Sequence, residues 1–376
     1  MTESIPLARP DITTEDIAEV TGTLTSGQLS LGPRLHAFEA ALAATCGTTG
    51  AVGTSSGTAG LELALKAVGV KPGDEVITTS FTFVATANAI HHVGATPVFV
   101  DICPDSLNID PGNIAAAITP RTRAILVVHV FGRLAEMQQI CDIAQRHQLV
   151  VIEDACEALG TTVNGKAAGS FGDAGVFGFY PNKVITCGEG GAVVSNEDEI
   201  LDRCRRLRNH GRVTGAVPFD SEEPGHNYRL SEMQAALGVS QLARLKKLVT
   251  ERARLFDGYQ ERLASVDWLR TPLHASPGMI VSWFVYVVRV SSLQSSAARE
   301  RICQRLTGDG IATGHYFPAI HRMKAYTVSD RCRYESLPNT EGAANQVLAL
   351  PFFPGLTEDQ LDRVCESLIR HTSATG

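Results

Sequence analysis

Apolar and polar positions alternate in blocks along this chain. Short runs rich in valine and isoleucine recur at residues 75–79 (EVITT), 97–101 (PVFVD), 124–130 (AILVVHV) and 149–153 (LVVIE). Between them, residues 82–93 and 134–146 carry helical spacing. Strands alternating with helices in this way predict a mostly parallel sheet covered by helices on both faces. Two more strands are expected at 175–180 and 192–195. Upstream, residues 1–30 read as a helix and an extended arm, with Thr13 or Thr14 as cap and Asp16 and Glu19 in the first turns. A second helix at 35–44 places Leu35, Phe38 and Leu42 on one face. After Leu242 the character changes. Residues 241–264 read as one long charged helix, 283–290 (WFVYVVRV) as a strong strand, and 297–306 and 358–369 as helices. The expected organisation is α/β: a large domain, 1–250 with the arm, on a mostly parallel sheet, and a smaller C-terminal α/β domain, 251–376.

Length and composition agree with two units. The chain has 376 residues, 44% hydrophobic and 19% charged, which is ample for a buried core. The formal net charge of -7, without a basic run, argues against nucleic acid as the main partner. No stretch approaches the roughly 18 uninterrupted apolar residues of a membrane span. The start, MTESIPLARPDITTEDI, reads as neither signal nor transit peptide. Nine cysteines without a CxxC pair read as free thiols in a reducing cytoplasm. Neither these spacings nor those of histidines and carboxylates supply a metal set, and no metal is expected.

Four stretches carry candidate chemistry. In residues 51–68, the small-residue turn Ser55-Ser56-Gly57-Thr58 runs straight into an apolar helix. Free N–H groups and partial positive charge at a helix start make a seat for phosphate; an ordinary N-cap would read the same way. Phe83 lies in the turn after the first strand. Asp154 closes the strand LVVIE, where ligands gather in such sheets, although it would also serve as a cap for the next turn. Lys183 sits between two β runs in GVFGFYPNKVITCGEGGAVVSN, beside Gly188, Gly190 and Gly191, which let a bound group lie against the backbone. A desolvated lysine is a nucleophile towards carbonyls; the plain alternative is a solvated lysine on a glycine-rich hairpin. The P-loop-like residues 160–167 carry Ala167 where magnesium binding needs Ser or Thr, and read as a hairpin turning at Asn164-Gly165. GxGxxG and HExxH are missing.

Pyridoxal phosphate needs all four features. Its phosphate needs N–H donors, its ring an apolar face, its ring nitrogen a buried carboxylate to stay protonated, and its aldehyde a lysine.

The stretches SSGTAGLELAL, TSFTFVATANAI, GATPVFVD, IEDACEALG, FGFYPNKVITCGEGG and GHNYRLSEMQAALG also resemble the DegT/StrS-type sugar-nucleotide aminotransferases. These are pyridoxal-phosphate enzymes of fold type I, the resemblance covers nearly the whole chain, and it implies a mostly parallel seven-stranded sheet in the large domain. It implies Lys183 as Schiff-base lysine and proton carrier, and Asp154 as partner of the ring nitrogen. It implies Gly57, Thr58 and Ala59 as phosphate contacts, Phe83 stacked on the ring, and Glu157 near the hydroxyl edge. Asn227 and Arg229, in the loop GHNYR, would reach the site of a neighbouring subunit, which makes a homodimer with shared sites. Read without the resemblance, Arg229 is a surface ion-pair residue. Gly178 stands where many members have serine, so one hydroxyl contact to phosphate is missing. His315 and Tyr316 are the implied substrate contacts; the plain reading of both is loop packing.

The implied activity is transfer of an amino group, with L-glutamate as donor, to a nucleotide-linked keto-deoxysugar. Glu157 inclines the reading towards a 4-keto-6-deoxyhexose. A cyclitol ketone or a 3-keto sugar nucleotide is the alternative acceptor, and a coenzyme-binding regulator without turnover is the alternative class.

Overall fold

The computed structural model describes residues 4–213, 220–293, 295–328 and 331–373. The chain first builds α1 (Thr14–Ser26), α2 (Pro33–Cys46), β1 (Gly50–Thr54), α3 (Gly57–Ala67), β2 (Glu75–Thr79), α4 (Ala85–His92) and β3 (Thr96–Val100). It continues with α5 (Pro111–Ala117), β4 (Thr122–Val128), α6 (Met137–His147), β5 (Val150–Asp154), β6 (Thr162–Val163), β7 (Lys166–Ala167), β8 (Ala174–Gly178) and β9 (Gly191–Ser195). Then follow α7 (Asp198–Arg208), α8 (Glu232–Ala243), α9 (Leu245–Leu263), β10 (Leu269–Arg270), β11 (Met279–Ile280) and β12 (Tyr286–Val290). The last elements are α10 (Ser296–Gly308), α11 (Pro338–Gln346), β13 (Val347–Leu350) and α12 (Glu358–Thr372).

Seven strands form one sheet in the order β1-β9-β8-β5-β4-β2-β3. The pairs from β8 to β3 are parallel. β9 is antiparallel to both neighbours, so it alone runs against the other six. Strand residues alternate between two apolar layers, as a two-residue period requires. Ile77, Ile125, Val127 and Val151 enter the layer that includes α2, α6 and α8, while Val76, Ala124, Leu126 and Ile152 enter the layer of α3, α4 and α7. Burial on both faces explains why these strands read as continuous apolar runs.

The elements follow local chemistry closely. Thr13 caps α1 with a full capping box: its hydroxyl accepts from the Asp16 N–H and its N–H donates to the Asp16 carboxylate. Asn164 (φ 50°) and Gly165 (φ 80°) make the turn of the expected hairpin, both left-handed as a two-residue turn needs.

Two expectations change. β1, with the glycine-rich sequence GAVGT, lacks a strand signature but completes the sheet beside β9. Its Gly53 is packed so closely that an added Cβ would lie 2.8 Å from Leu35. Of the helix expected at 241–264, residues 245–263 form α9, while 241–243 end α8, the two meeting at Arg244 (φ -102°, ψ 1°). Arg244 is held at the break by Asp11 (2.5 Å) and Asp16 (2.9 Å), so its guanidinium ties the junction to the N-terminal segment.

A second core joins α9, α10, α12, β12 and β13 around Tyr259, Tyr286 and Phe352. The N-terminal segment reaches this core. Ile5 bridges to Ile311, and Phe352 donates its N–H to Leu7. Residues 5–7 thereby supply backbone partners to Gly310, Ala312 and Phe352.

Candidate active site

The carboxyl ends of β4, β5 and β8 open into a cavity of about 450 Å³. Parallel strands bring their last residues, Val128, Asp154 and Gly178, to one rim. Ligands collect there because strand ends and helix starts leave backbone groups unpaired.

The start of α3 forms one wall. Ser56 is its N-cap, and the Ser56 hydroxyl accepts the Ala59 N–H at 3.1 Å. Gly57 and Thr58, the next first-turn N–H donors, line the cavity. Ala59, expected as a third phosphate contact, has its N–H held by the cap and is not part of the lining. Gly57 is required by packing: a Cβ there would come within 2.9 Å of Cys156 Sγ.

Asp154 ends β5 and is 6% exposed. Its Oδ2 accepts the Thr86 hydroxyl at 2.8 Å, and its Oδ1 accepts the Cys156 N–H at 3.3 Å. Thr86 lies in the first turn of α4 and contacts Thr82 Oγ1 at 3.2 Å. With Thr86 donating to Asp154, Thr82 donates to Thr86, which gives a directed chain ending on the carboxylate. Phe83, on the same turn, lines the cavity and is 61% exposed in the single chain.

Lys183 enters from the turn between β8 and β9. Its Nζ lies 3.7 Å from Glu157 Oε1 and 4.2 Å from the centre of the Phe284 ring. Glu157 is buried, and its Oε2 accepts the Phe131 N–H at 2.9 Å. Burial pushes the Glu157 carboxyl above its ordinary range, against the opposing pull of Lys183 and that N–H. Tyr316 also reaches the cavity, where Asn182 Nδ2 donates to its hydroxyl at 3.4 Å. Burial raises the Tyr316 phenol, which keeps it protonated as a donor.

Gly57, Thr58, Phe83, Asp154, Glu157, Lys183 and Tyr316 are thus brought together. Asn227 and Arg229 do not line this chain's own cavity. They pair with Asn209 and Thr54, and Arg229 Nη1 donates to Asn209 Oδ1 at 2.8 Å. His315 is also absent from the lining; its imidazole turns towards Cys303 on α10. Adjacent residues of an extended segment point opposite ways, so Tyr316 and His315 serve different cavities. Sequence reasoning passed over Thr86, Asn182 and Phe284. Thr86 is three residues after Phe83, in the first turn of the helix that follows, and its N–H donates to the Phe83 carbonyl. Phe284 lay in an apolar strand run with no local mark.

The lining fits pyridoxal phosphate. Helix N–H donors, a buried carboxylate held by two donors, a lysine amine and apolar ring faces share one cavity. The buried Asn182 Oδ1 lacks a partner among the described residues, an acceptor left for a bound group.

The sequence model described as the DegT/DnrJ/EryC1/StrS aminotransferase family matches residues 10–369. The chain is 38% identical over 374 residues to the spore coat polysaccharide biosynthesis protein SpsC of Bacillus subtilis (strain 168), covering 97% of this chain and 96% of SpsC. Among solved structures, DesV of S. venezuelae superposes with a TM-score of 0.91 at 37% identity, covering 99% of each chain. The pyridoxal-phosphate form of Spr1654 from Streptococcus pneumoniae superposes with a TM-score of 0.93 at 28% identity, covering 99% of this chain and 100% of that one.

Proposed function

The chain belongs to the DegT/DnrJ/EryC1/StrS aminotransferase family, which depends on pyridoxal phosphate, and from that premise we propose that it aminates a nucleotide-linked keto-deoxysugar. L-glutamate is the proposed donor, and a 4-keto-6-deoxyhexose the proposed sugar. One observation carries the reading of the site: Lys183, Asp154 and the start of α3 meet on one cavity. The likeness to a polysaccharide biosynthesis protein supports a sugar acceptor.

When bound, the coenzyme supplies a carbonyl that condenses with amines and a ring that accepts electrons. Lys183 Nζ would hold it and, as the free amine, would move a proton from the donor carbon to the coenzyme's carbonyl carbon, and in the reverse sense to the acceptor carbon. Phe284 forms the wall beside Nζ, with its ring centre 4.2 Å away. Asp154 holds a proton on the ring nitrogen, and Thr86 and the Cys156 N–H fix the orientation of its carboxylate. Gly57 and Thr58 bind phosphate through their N–H groups, and Phe83 covers the ring. Glu157 receives the hydroxyl edge. Tyr316 lies on the side from which a substrate enters, and Ala59 acts through the cap.

Asn227 and Arg229 complete the site of a second copy, so the enzyme works as a homodimer. Phe83, exposed in one chain, is then covered by the partner. A cytoplasmic location remains part of the proposal.

Absorbance of the purified protein, before and after L-glutamate, tests the site and the donor together. A visible band that shifts on glutamate is expected. Mass spectrometry of mixtures offered 4-keto, 3-keto and cyclitol ketones then identifies the acceptor. A band indifferent to glutamate and to every other amino donor would overturn the transaminase reading in favour of a coenzyme-binding regulator.

A further inference from the structure

Outside the active site, a second cavity of about 470 Å³ is lined by Glu300, Cys303, Gln304, Thr307, Thr313 and His315. Glu300 and Cys303 stand three residues apart on α10, hence on one face of the helix. His315 comes from the segment that crosses this face. Its Nε2 lies 3.4 Å from Cys303 Sγ and 3.4 Å from Glu300 Oε2. The three ligand atoms all lie within 4.8 Å of one another. Cys303 is buried at the base of the group, while Glu300 and His315 stand at its mouth.

We propose that Glu300, Cys303 and His315 form a site for a borderline divalent cation of the zinc class. One sulfur, one nitrogen and one oxygen converge from two rigid elements, and this mixed donor set suits Zn²⁺. Zn–S and Zn–N bonds of about 2.3 and 2.0 Å in a tetrahedron place S and N roughly 3.5 Å apart. The 3.4 Å spacing therefore needs little rearrangement. A thiolate and a carboxylate balance the charge of the ion, and a neutral imidazole completes the protein's share. The neighbouring guanidinium of Arg299 is turned away, held by the Ala344 carbonyl. The fourth position faces the open cavity, where water binds.

A hydrogen-bonded trio explains the contacts less well. His315 Nε2 carries one proton at most when neutral, yet both the thiol and the carboxylate address that single atom. Local spacing gave no hint of the set, because the histidine arrives 12 residues after the cysteine, beyond the helix end. The cation also has a mechanical consequence. Fixing His315 fixes its neighbour Tyr316, which lines the active-site cavity.

Calorimetric titration of ZnCl₂ into the dialysed holoprotein tests the site, with Glu300→Gln and Cys303→Ser as variants. One equivalent of Zn²⁺ per chain is expected. Each variant should weaken binding by at least the roughly tenfold that follows loss of even an outer partner of a metal ligand. MgCl₂ should not compete, since a hard cation gains nothing from sulfur. Glu300 is exposed, so Glu300→Gln folds whatever the outcome for the buried Cys303. At equal concentration Zn²⁺ should raise the melting midpoint of the wild-type protein more than that of Glu300→Gln. Zn²⁺ affinity equal in wild type and both variants, or displacement by Mg²⁺, overturns the site.

Discussion

The Thr86→Val substitution isolates how the protein orients Asp154. The side chains have similar volume, and position 86 is 1% exposed, so the change removes one hydroxyl and leaves the packing nearly filled. That hydroxyl donates to Asp154 Oδ2 at 2.8 Å and closes the chain that begins at Thr82. After substitution the Cys156 N–H, at 3.3 Å, is the remaining donor to Asp154 among the described contacts. A buried hydrogen bond to a charged group contributes about 1.5–3 kcal/mol. If all of it steadies the carboxylate under the developing charge, the half-reaction slows by about 10- to 150-fold. Stopped-flow absorbance at saturating L-glutamate reads that rate directly. Thr86→Ser, which keeps the hydroxyl, should retain most of the wild-type rate. A Thr86→Val rate within about twofold of wild type refutes the positioning role; a Thr86→Ser rate as low as that of Thr86→Val assigns the effect to packing.

Three further outcomes are expected. Lys183→Ala should abolish turnover and Arg229→Ala should impair it, while co-expressed hybrids of the two regain activity because one composite site is intact; hybrids no more active than the parents would show that the sites are not shared. Gly178→Ser should fold normally, since an added Cβ comes no closer than 3.4 Å, to Cys156 Sγ, and its hydroxyl should tighten coenzyme retention about fivefold for about 1 kcal/mol; unchanged retention on dialysis would count against phosphate lying beside β8. Burial raises the Glu157 pKa, so the folded state binds that proton more tightly than the unfolded chain. Its stabilising share is full below the unfolded value of about 4.3 and is lost as pH rises through the folded value. Glu157→Gln should flatten that decline in melting midpoint, and an unaltered pH profile would contradict the shift.

The amino-acid order alone determined the layered α/β plan and most of the cofactor end of the site. Those features are local. The runs at β2 to β5 announce buried strands because both faces are covered, and the small-residue turn before α3 announces a cap and a free helix start. Lys183 among glycines and Asp154 at a strand end were legible for the same reason, since a few adjacent residues set the backbone there. β1 escaped because GAVGT has little strand propensity of its own and is held by pairing with β9. The break between α8 and α9 escaped because it depends on Asp11 and Asp16, more than 220 residues away in the chain. Only the tertiary structure brought Phe284 to Lys183, joined Ile5 to Ile311, and separated Tyr316 from His315. Periodicity records which face of an element is buried, but not which distant element covers it; that choice belongs to packing between segments, where the contact energies are shared among many residues.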